Sequence, residues 1–261
     1  INHVEAKDPD ILKSQRGRRW ATWLKEAKMI EQADPEKSYE ILYRLVFDSF
    51  LKGQVGDQSF RHSVWKDVTE LADKHNDPGH FTALIGYEWT SLFNLHRVVV
   101  FKDDASKANK ITPLPAYDNW DPENLWAFLE EYENTAGGEV LAIPHNSNLS
   151  SGVMFALQDA KGNALSQRYA SIRNRWEPLV EVTQIKGDSE THPILSPTDE
   201  FADYETMVSE NSKAMTSYRS SLGYTDYENW YEKKDLIENN SDWMRPYEYA
   251  RSALKLGLRL Q

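Results

Sequence analysis

The run Val140-Leu141-Ala142-Ile143, followed at once by Pro144, His145 and Asn146, constrains the fold more than any other stretch of this chain. An unbroken apolar run fits a strand buried on both faces, and Pro144 lacks the backbone donor that a continuing strand needs. His145 is therefore expected at a strand end. In α/β architectures such ends carry the chemistry, because the sheet is rigid and the loops beyond it hold polar groups. Alone, a histidine there reads as a turn residue with its hydrogen bonds satisfied. His145 is not alone.

The apolar stretch Phe81 to Tyr87 ends in Glu88-Trp89-Thr90, and a carboxylate at the end of a buried strand is costly without a compensating positive group. Leu95 to Phe101 reads as the next strand and starts with His96. If the two form a hairpin, Glu88 and His96 share one edge. Further on, Leu179 to Ile185 reads as a strand that ends in Lys186-Gly187-Asp188-Ser189-Glu190-Thr191-His192-Pro193. The recurrence of ionisable groups at strand ends is what argues for a shared site. The polar loop Asn146 to Gly152 either lines a pocket, holds an anion through backbone N–H groups, or does neither.

Ahead of these strands the period is helical. Trp20, Trp23, Leu24, Ala27 and Ile30 predict an amphipathic helix over Ser14 to Ala33. Asp34-Pro35-Glu36 restarts the chain as a helix that buries Ile41, Leu42, Leu45, Val46 and Phe50, and Gly53 to Gly56 breaks it. A third helix, Asp57 to His75, sets Val64, Trp65, Val68 and Leu71 on one face, with His62 and His75 solvated. Three helices without a strand read as a cap or insertion over residues 1–76, leaving 77–261 as the α/β part of a single domain. Lys102 to Asn119 reads as loop. Asp121-Pro122-Glu123 opens a helix bearing Leu125, Trp126, Phe128, Leu129 and Tyr132 that stops at Gly137-Gly138, and the strand to Ile143 follows. That alternation is the βα rhythm of a barrel or wound sheet. Leu165 to Trp176 predicts a helix with Arg168, Arg173 and Arg175 exposed. Asp199, Glu200, Asp203 and Glu205 form a solvated face, 209–243 is loop or helix, and Tyr247 to Leu260 is a helix with Ala250, Ala253, Leu254 and Leu258 inward.

Composition narrows the chemistry. With no cysteine, any metal must be held by His, Asp and Glu, and disulfides are excluded. A net charge of -11 argues against a nucleic-acid partner, although 30 basic residues leave room for a local anion site. No apolar run approaches the roughly 18 residues that cross a bilayer, so no membrane partner is expected. The absence of cysteine sits better with a periplasmic or secreted location than with the cytoplasm, and a first residue other than Met reads as a processed or excised product. No phosphate-binding glycine loop, dinucleotide fingerprint or nucleophile elbow occurs. Glu88, His96 and His145 are then a candidate metal set by residue type, suited to Zn, Mn or Fe. A metal there would lower the pKa of its water and supply a hydroxide nucleophile near neutral pH.

Phe81-Thr82-Ala83-Leu84-Ile85-Gly86-Tyr87-Glu88-Trp89-Thr90, Leu95-His96-Arg97-Val98-Val99, Ala142-Ile143-Pro144-His145-Asn146, and Gln184 through His192 with Ser196 to Ala202 resemble domain of unknown function 3604, a bacterial family (DUF3604). That family is similar to the PHP (polymerase and histidinol phosphatase) superfamily. The resemblance implies a distorted (β/α)7 barrel that binds two or three divalent metals for phosphoester hydrolysis. Glu88, His96 and His145 match the superfamily's ligands at three strand ends. Asn146, Lys186, Asp188, Glu190 and His192 belong to the family's own pattern. Asp188 and His192 are the expected catalytic residues, and Arg97, Asn146, Lys186 and Glu190 the expected contacts to a small-molecule substrate.

The superfamily's opening H-x-H, its D-H pair and its closing D-x-H are missing. The only D-x-H, Asp73-Lys74-His75, lies in the third helix. The chain thus reads as the central part of a longer protein: an incomplete PHP-like barrel with an N-terminal helical insertion, whose partners include its missing N- and C-terminal segments. The expected function is a metal-dependent phosphoester or ester hydrolase, in an inactive fragment if the missing ligands are essential. The rival is a non-catalytic module that binds a small molecule or carbohydrate.

Overall fold

In the computed structural model the described residues are 9–53, 56–91, 96–116, 120–150, 152–184, 187–191, 198–202 and 247–260. They divide between two compact units, one of Ile1–Ile85 with Asp103–Asn119, the other of Gly86–Lys102 with Trp120–Gln261. The fold is mixed α/β.

The first unit is helical: α1 Pro9–Leu12, α2 Gln15–Ile30, α3 Pro35–Lys52, α4 Gln58–His75 and a short α5, Ala105–Ala108. Polar side chains cap the starts of the long helices. Ser14 accepts from the Gly17 amide, Asp34 from Lys37 and Asp57 from Phe60, each satisfying a donor that a first turn leaves orphaned. Ile11, Trp20, Leu24, Leu45 and Phe60 form the core, each burial contributing about 1.5–3 kcal/mol. Gly17 makes this packing possible, because a Cβ there would stand 1.9 Å from the Ile11 carbonyl oxygen. Asp48, inside the unit, holds Arg16 Nε at 2.6 Å, Lys52 Nζ at 2.8 Å and Trp20 Nε1 at 2.8 Å.

Two expectations are corrected here. The buried face of α4 is Phe60, Trp65 and Thr69, while Val68 and Leu71 are exposed. The reason is α5, which forms inside the stretch expected to be loop: Trp65 Nε1 donates to Ala108 O at 2.9 Å and Thr69 Oγ1 to Asn109 Oδ1 at 2.8 Å. His62 is half-buried with Nδ1 3.0 Å from Thr112 Oγ1, whereas His75 is exposed as expected.

In the second unit β1 (Ile85–Thr90), β2 (His96–Phe101) and β3 (Val140–His145) form an open sheet in the order β1-β2-β3. β2 and β3 are antiparallel, with His96 opposite His145, Arg97 opposite Pro144 and Phe101 opposite Val140. The βα rhythm suggested parallel strands. Here α6 (Pro122–Ala136) leaves and returns at one end of the sheet, closed by Lys102 N–H donating to Glu139 O at 3.0 Å, so β3 runs back along β2. A closed barrel is not seen among the described residues. β3 also continues through Pro144 and His145 instead of stopping at Ile143. It lies at the edge of the sheet, and the Pro144 carbonyl accepts from the Glu181 amide at 3.0 Å on the side away from β2. The missing N–H therefore breaks no ladder bond.

Alternation gives the sheet two unlike faces. Arg97, Val99 and Phe101 of β2, with Val140, Ala142 and Pro144 of β3, are buried against α6, where Phe101 meets Tyr132 edge-on at 4.9 Å. His96, Val98 and Val100 are turned to the opposite, more open face. Gly86 lets β1 come close to β2, since a Cβ would lie 2.7 Å from Val99 O.

The remaining elements are α7 (Gln167–Trp176), the ribbon of β4 (Thr183–Gln184) and β5 (Gly187–Asp188), and α8 (Ala250–Leu260). The expected long strand Leu179 to Ile185 is thus a short ribbon. Arg173 is not exposed, because its Nη2 donates to Met154 O at 2.6 Å. Along α8, Ala250 is buried but Leu254 and Leu258 are exposed. Of the expected solvated face, Asp199 is instead buried at the side chain and holds Arg251 at 3.0 Å and Lys255 at 2.7 Å, Glu200 is exposed, and Asp203 and Glu205 lie outside the described residues. The expected segment 209–243 lies outside the described residues. No described helix is long and apolar enough to cross a membrane.

Candidate metal centre

The pairing of β1 with β2 and the antiparallel return of β3 bring Glu88, His96 and His145 together on the open face of the sheet. One ligand atom from each lies within 4.8 Å of the others. Glu88 Oε1 is hydrogen-bonded to His96 Nδ1 and stands 3.3 Å from His145 Nε2. The two rings meet edge-on at 5.4 Å. Side-chain exposure falls from 48% at Glu88 to 26% at His96 and 11% at His145, so the cluster opens to solvent on the Glu88 side.

Hydrogen bonds from His145 and then His96 hold the Glu88 carboxyl well below the usual carboxylate range, against a smaller opposing effect of burial. His145 Nδ1 lies 3.4 Å from the Ile143 carbonyl oxygen. An imidazole that donates from Nδ1 to a backbone carbonyl keeps its Nε2 lone pair for a ligand, which is how metal-binding histidines are commonly oriented. Protonated at Nε2, the same ring donates to Glu88 Oε1 at 3.3 Å, and that proton is what a bound cation would replace. An ion bound tetrahedrally at about 2.0–2.2 Å would space its ligand atoms roughly 3.4 Å apart, which the Glu88–His145 separation of 3.3 Å matches and the direct Glu88–His96 hydrogen bond does not.

The sequence profile described as "Protein of unknown function (DUF3604)" matches residues 1–227, most of the chain and all three of these side chains. The chain belongs to the DUF3604 family. No curated protein and no solved structure gives a significant match.

The other expected site residues of this DUF3604 chain are placed differently. Arg97 lies on the opposite face of the sheet, 1% exposed at its side chain, with Nε 3.0 Å from Glu177 Oε1. Its side chain is turned away from the histidines. Asn146 is buried in a left-handed conformation (φ 61°), which Asn tolerates better than most residues, and starts the 3₁₀ turn Ser147–Leu149. Ser147 and Ser150 are buried, and their hydroxyls lack hydrogen-bond partners among the described residues. Glu190 is paired with Arg251. Asp188 lies in β5, beside Ser189, whose hydroxyl donates to Asn148 Oδ1 at 2.9 Å. That bond brings the backbone of 187–191 against the turn that follows His145. Lys186 and His192 lie outside the described residues.

Sequence reasoning missed Glu177. It caps α7, and its carboxylate accepts from Trp126 Nε1 at 3.0 Å as well as from Arg97, with Arg173 Nε 3.3 Å away. Burial pushes its pKa up, but the Arg97 and Arg173 charges with the Arg97 and Trp126 hydrogen bonds outweigh burial and leave it below the usual range. The available signal was Arg173 and Glu177 at i,i+4 spacing beside a helix end.

Proposed function

We propose that this chain carries a divalent-metal site of a PHP-like hydrolase acting on a phosphoester or related ester, with Glu88, His96 and His145 as ligands. One observation carries the reading: a carboxylate oxygen and two imidazole nitrogens from three different strands converge within 4.8 Å, with His145 oriented by Ile143. Zn, Mn and Fe suit the donor set. When bound, such an ion supplies Lewis acidity and makes a water acidic enough to be a nucleophile near neutral pH.

The chain's own residues supply the frame. Glu88, kept ionised, contributes negative charge at the open side, and His145 is held in one ring orientation by the Ile143 carbonyl. Asp188 and His192 belong to this reading as proton-transfer residues. Asn146, Lys186 and Glu190 belong to it as substrate contacts, while Arg97 leaves the substrate set for a place in the core. A PHP-like barrel that includes the three-stranded sheet is part of the same proposal.

Calorimetric titration of the metal-free protein with Zn²⁺ and Mn²⁺, beside E88A and H145A, tests it. Stoichiometric uptake by the wild type, lost at least 100-fold in both variants, is the expected result. Hydrolysis of bis(p-nitrophenyl) phosphate that needs the same residues would extend it to catalysis. A wild-type protein that takes up neither metal overturns the proposal, and ligand affinity indifferent to chelator would favour the non-catalytic binding module.

A further inference from the structure

We infer that the buried Arg97–Glu177 pair is a positioning device for the three candidate ligands, acting on them from the opposite face of the sheet. The inference rests on the metal-site reading above. Its basis is a one-to-one correspondence along the strands. Glu88 is followed in β1 by Trp89, His96 is followed in β2 by Arg97, and His145 is preceded in β3 by Pro144. Because neighbours in a strand point to opposite faces, these three partners meet on the inner side, directly behind the ligands. The Arg97 guanidinium carbon lies 5.7 Å from the centre of the Trp89 ring, and Arg97 stands opposite Pro144 in the register.

Glu177 then anchors this inner cluster. Its Oε1 takes Arg97 Nε and Trp126 Nε1, both at 3.0 Å, and Arg173 approaches its other oxygen at 3.3 Å. Three elements, β2, α6 and the end of α7, are therefore fastened at one point, level with the rung that carries His96 and His145. Stability alone does not explain a charged pair in this place. Replacing a buried ion pair by apolar side chains of similar volume is often neutral or stabilising, and the best-attested use of such pairs is to fix a register. Register is what the site depends on, since a slip of one residue would send His96 or His145 to the wrong face.

The test uses R97K, which keeps the charge but loses the planar fork, and R97M/E177L, which removes both charges. Each is measured by urea unfolding, by Zn²⁺ calorimetry, and by the ¹⁵N shifts of the His96 and His145 rings in metal-free protein at fixed pH. The expected result is cooperative unfolding in at least one variant, with moved ring shifts and Zn²⁺ affinity lowered about 10–100-fold, the range seen when groups behind metal ligands are changed. A folded variant with wild-type ring shifts and wild-type affinity overturns the inference. So does loss of cooperative unfolding in both, because that assigns the pair to holding the fold. If the wild type takes up no metal while the ring shifts still move, the metal reading fails and the positioning role stands.

Discussion

Two carboxylates, Glu88 and Glu177, sit on opposite faces of one sheet, and both are pulled below the ordinary glutamate value of 4.5. They reach that state by different means. Glu177 is buried, and its compensation comes from the guanidinium groups of Arg97 and Arg173. Glu88 is half exposed, and its compensation comes from hydrogen bonds with the imidazoles of His145 and His96, whose ring nitrogens are also metal-ligating atoms. The difference separates a buried charge pair from a solvent-open cluster of ligand atoms. At Glu177 the positive partners belong to the fold, while at Glu88 the proposed metal ion would supply the charge.

The largest effect that can sharpen this contrast is R97M, which leaves Glu177 buried opposite a neutral side chain. It should cost about 3–5 kcal/mol by urea unfolding at pH 7, and a cost under about 1 kcal/mol would erase the distinction between the faces. Next comes metal itself. Zn²⁺ at 100 times its dissociation constant should stabilise the wild type by about 2.7 kcal/mol in a thermal unfolding series and leave E88A unmoved. Acid should act on the inner face through Glu177. Its folded pKa is depressed, so its contribution is complete above 4.5 and declines as pH falls through the folded value. The stability gap between wild type and E177Q should therefore be flat from neutrality down to about pH 5 and narrow below it. The smallest effect belongs to E88Q without metal, expected within about 1 kcal/mol because the pair is partly solvated. A larger loss would make Glu88 a structural anchor like Glu177.

How far the chain can be read in advance follows the range of the interactions. Ser14, Asp34, Asp57 and Asp121 cap their own helices, and these local bonds are visible in the residues themselves. Glu88, His96 and His145 are legible as a group because each stands at the end of an apolar run, and a five-residue connection from Ser91 to Leu95 suffices to bring the first two together. What escapes is set by distant partners. The buried face of α4 depends on Ala108 and Asn109 some 40 residues away. Arg97 reads as a free cation until Glu177, 80 positions later, is placed against it. The direction of β3 is decided by where α6 returns to the sheet, and hydrophobic spacing carries no signal for that.

The bond from the Glu181 amide to the Pro144 carbonyl has a consequence for following this site in time. Pro144 has no amide of its own to report on the rung next to His145, but Glu181 supplies one from outside the sheet. Any fluctuation that frees the His145 end of the strand must break that bond and expose the Glu181 N–H to deuterium. Its exchange rate is therefore a clock for opening of the site, readable without touching a ligand, and metal binding should slow it.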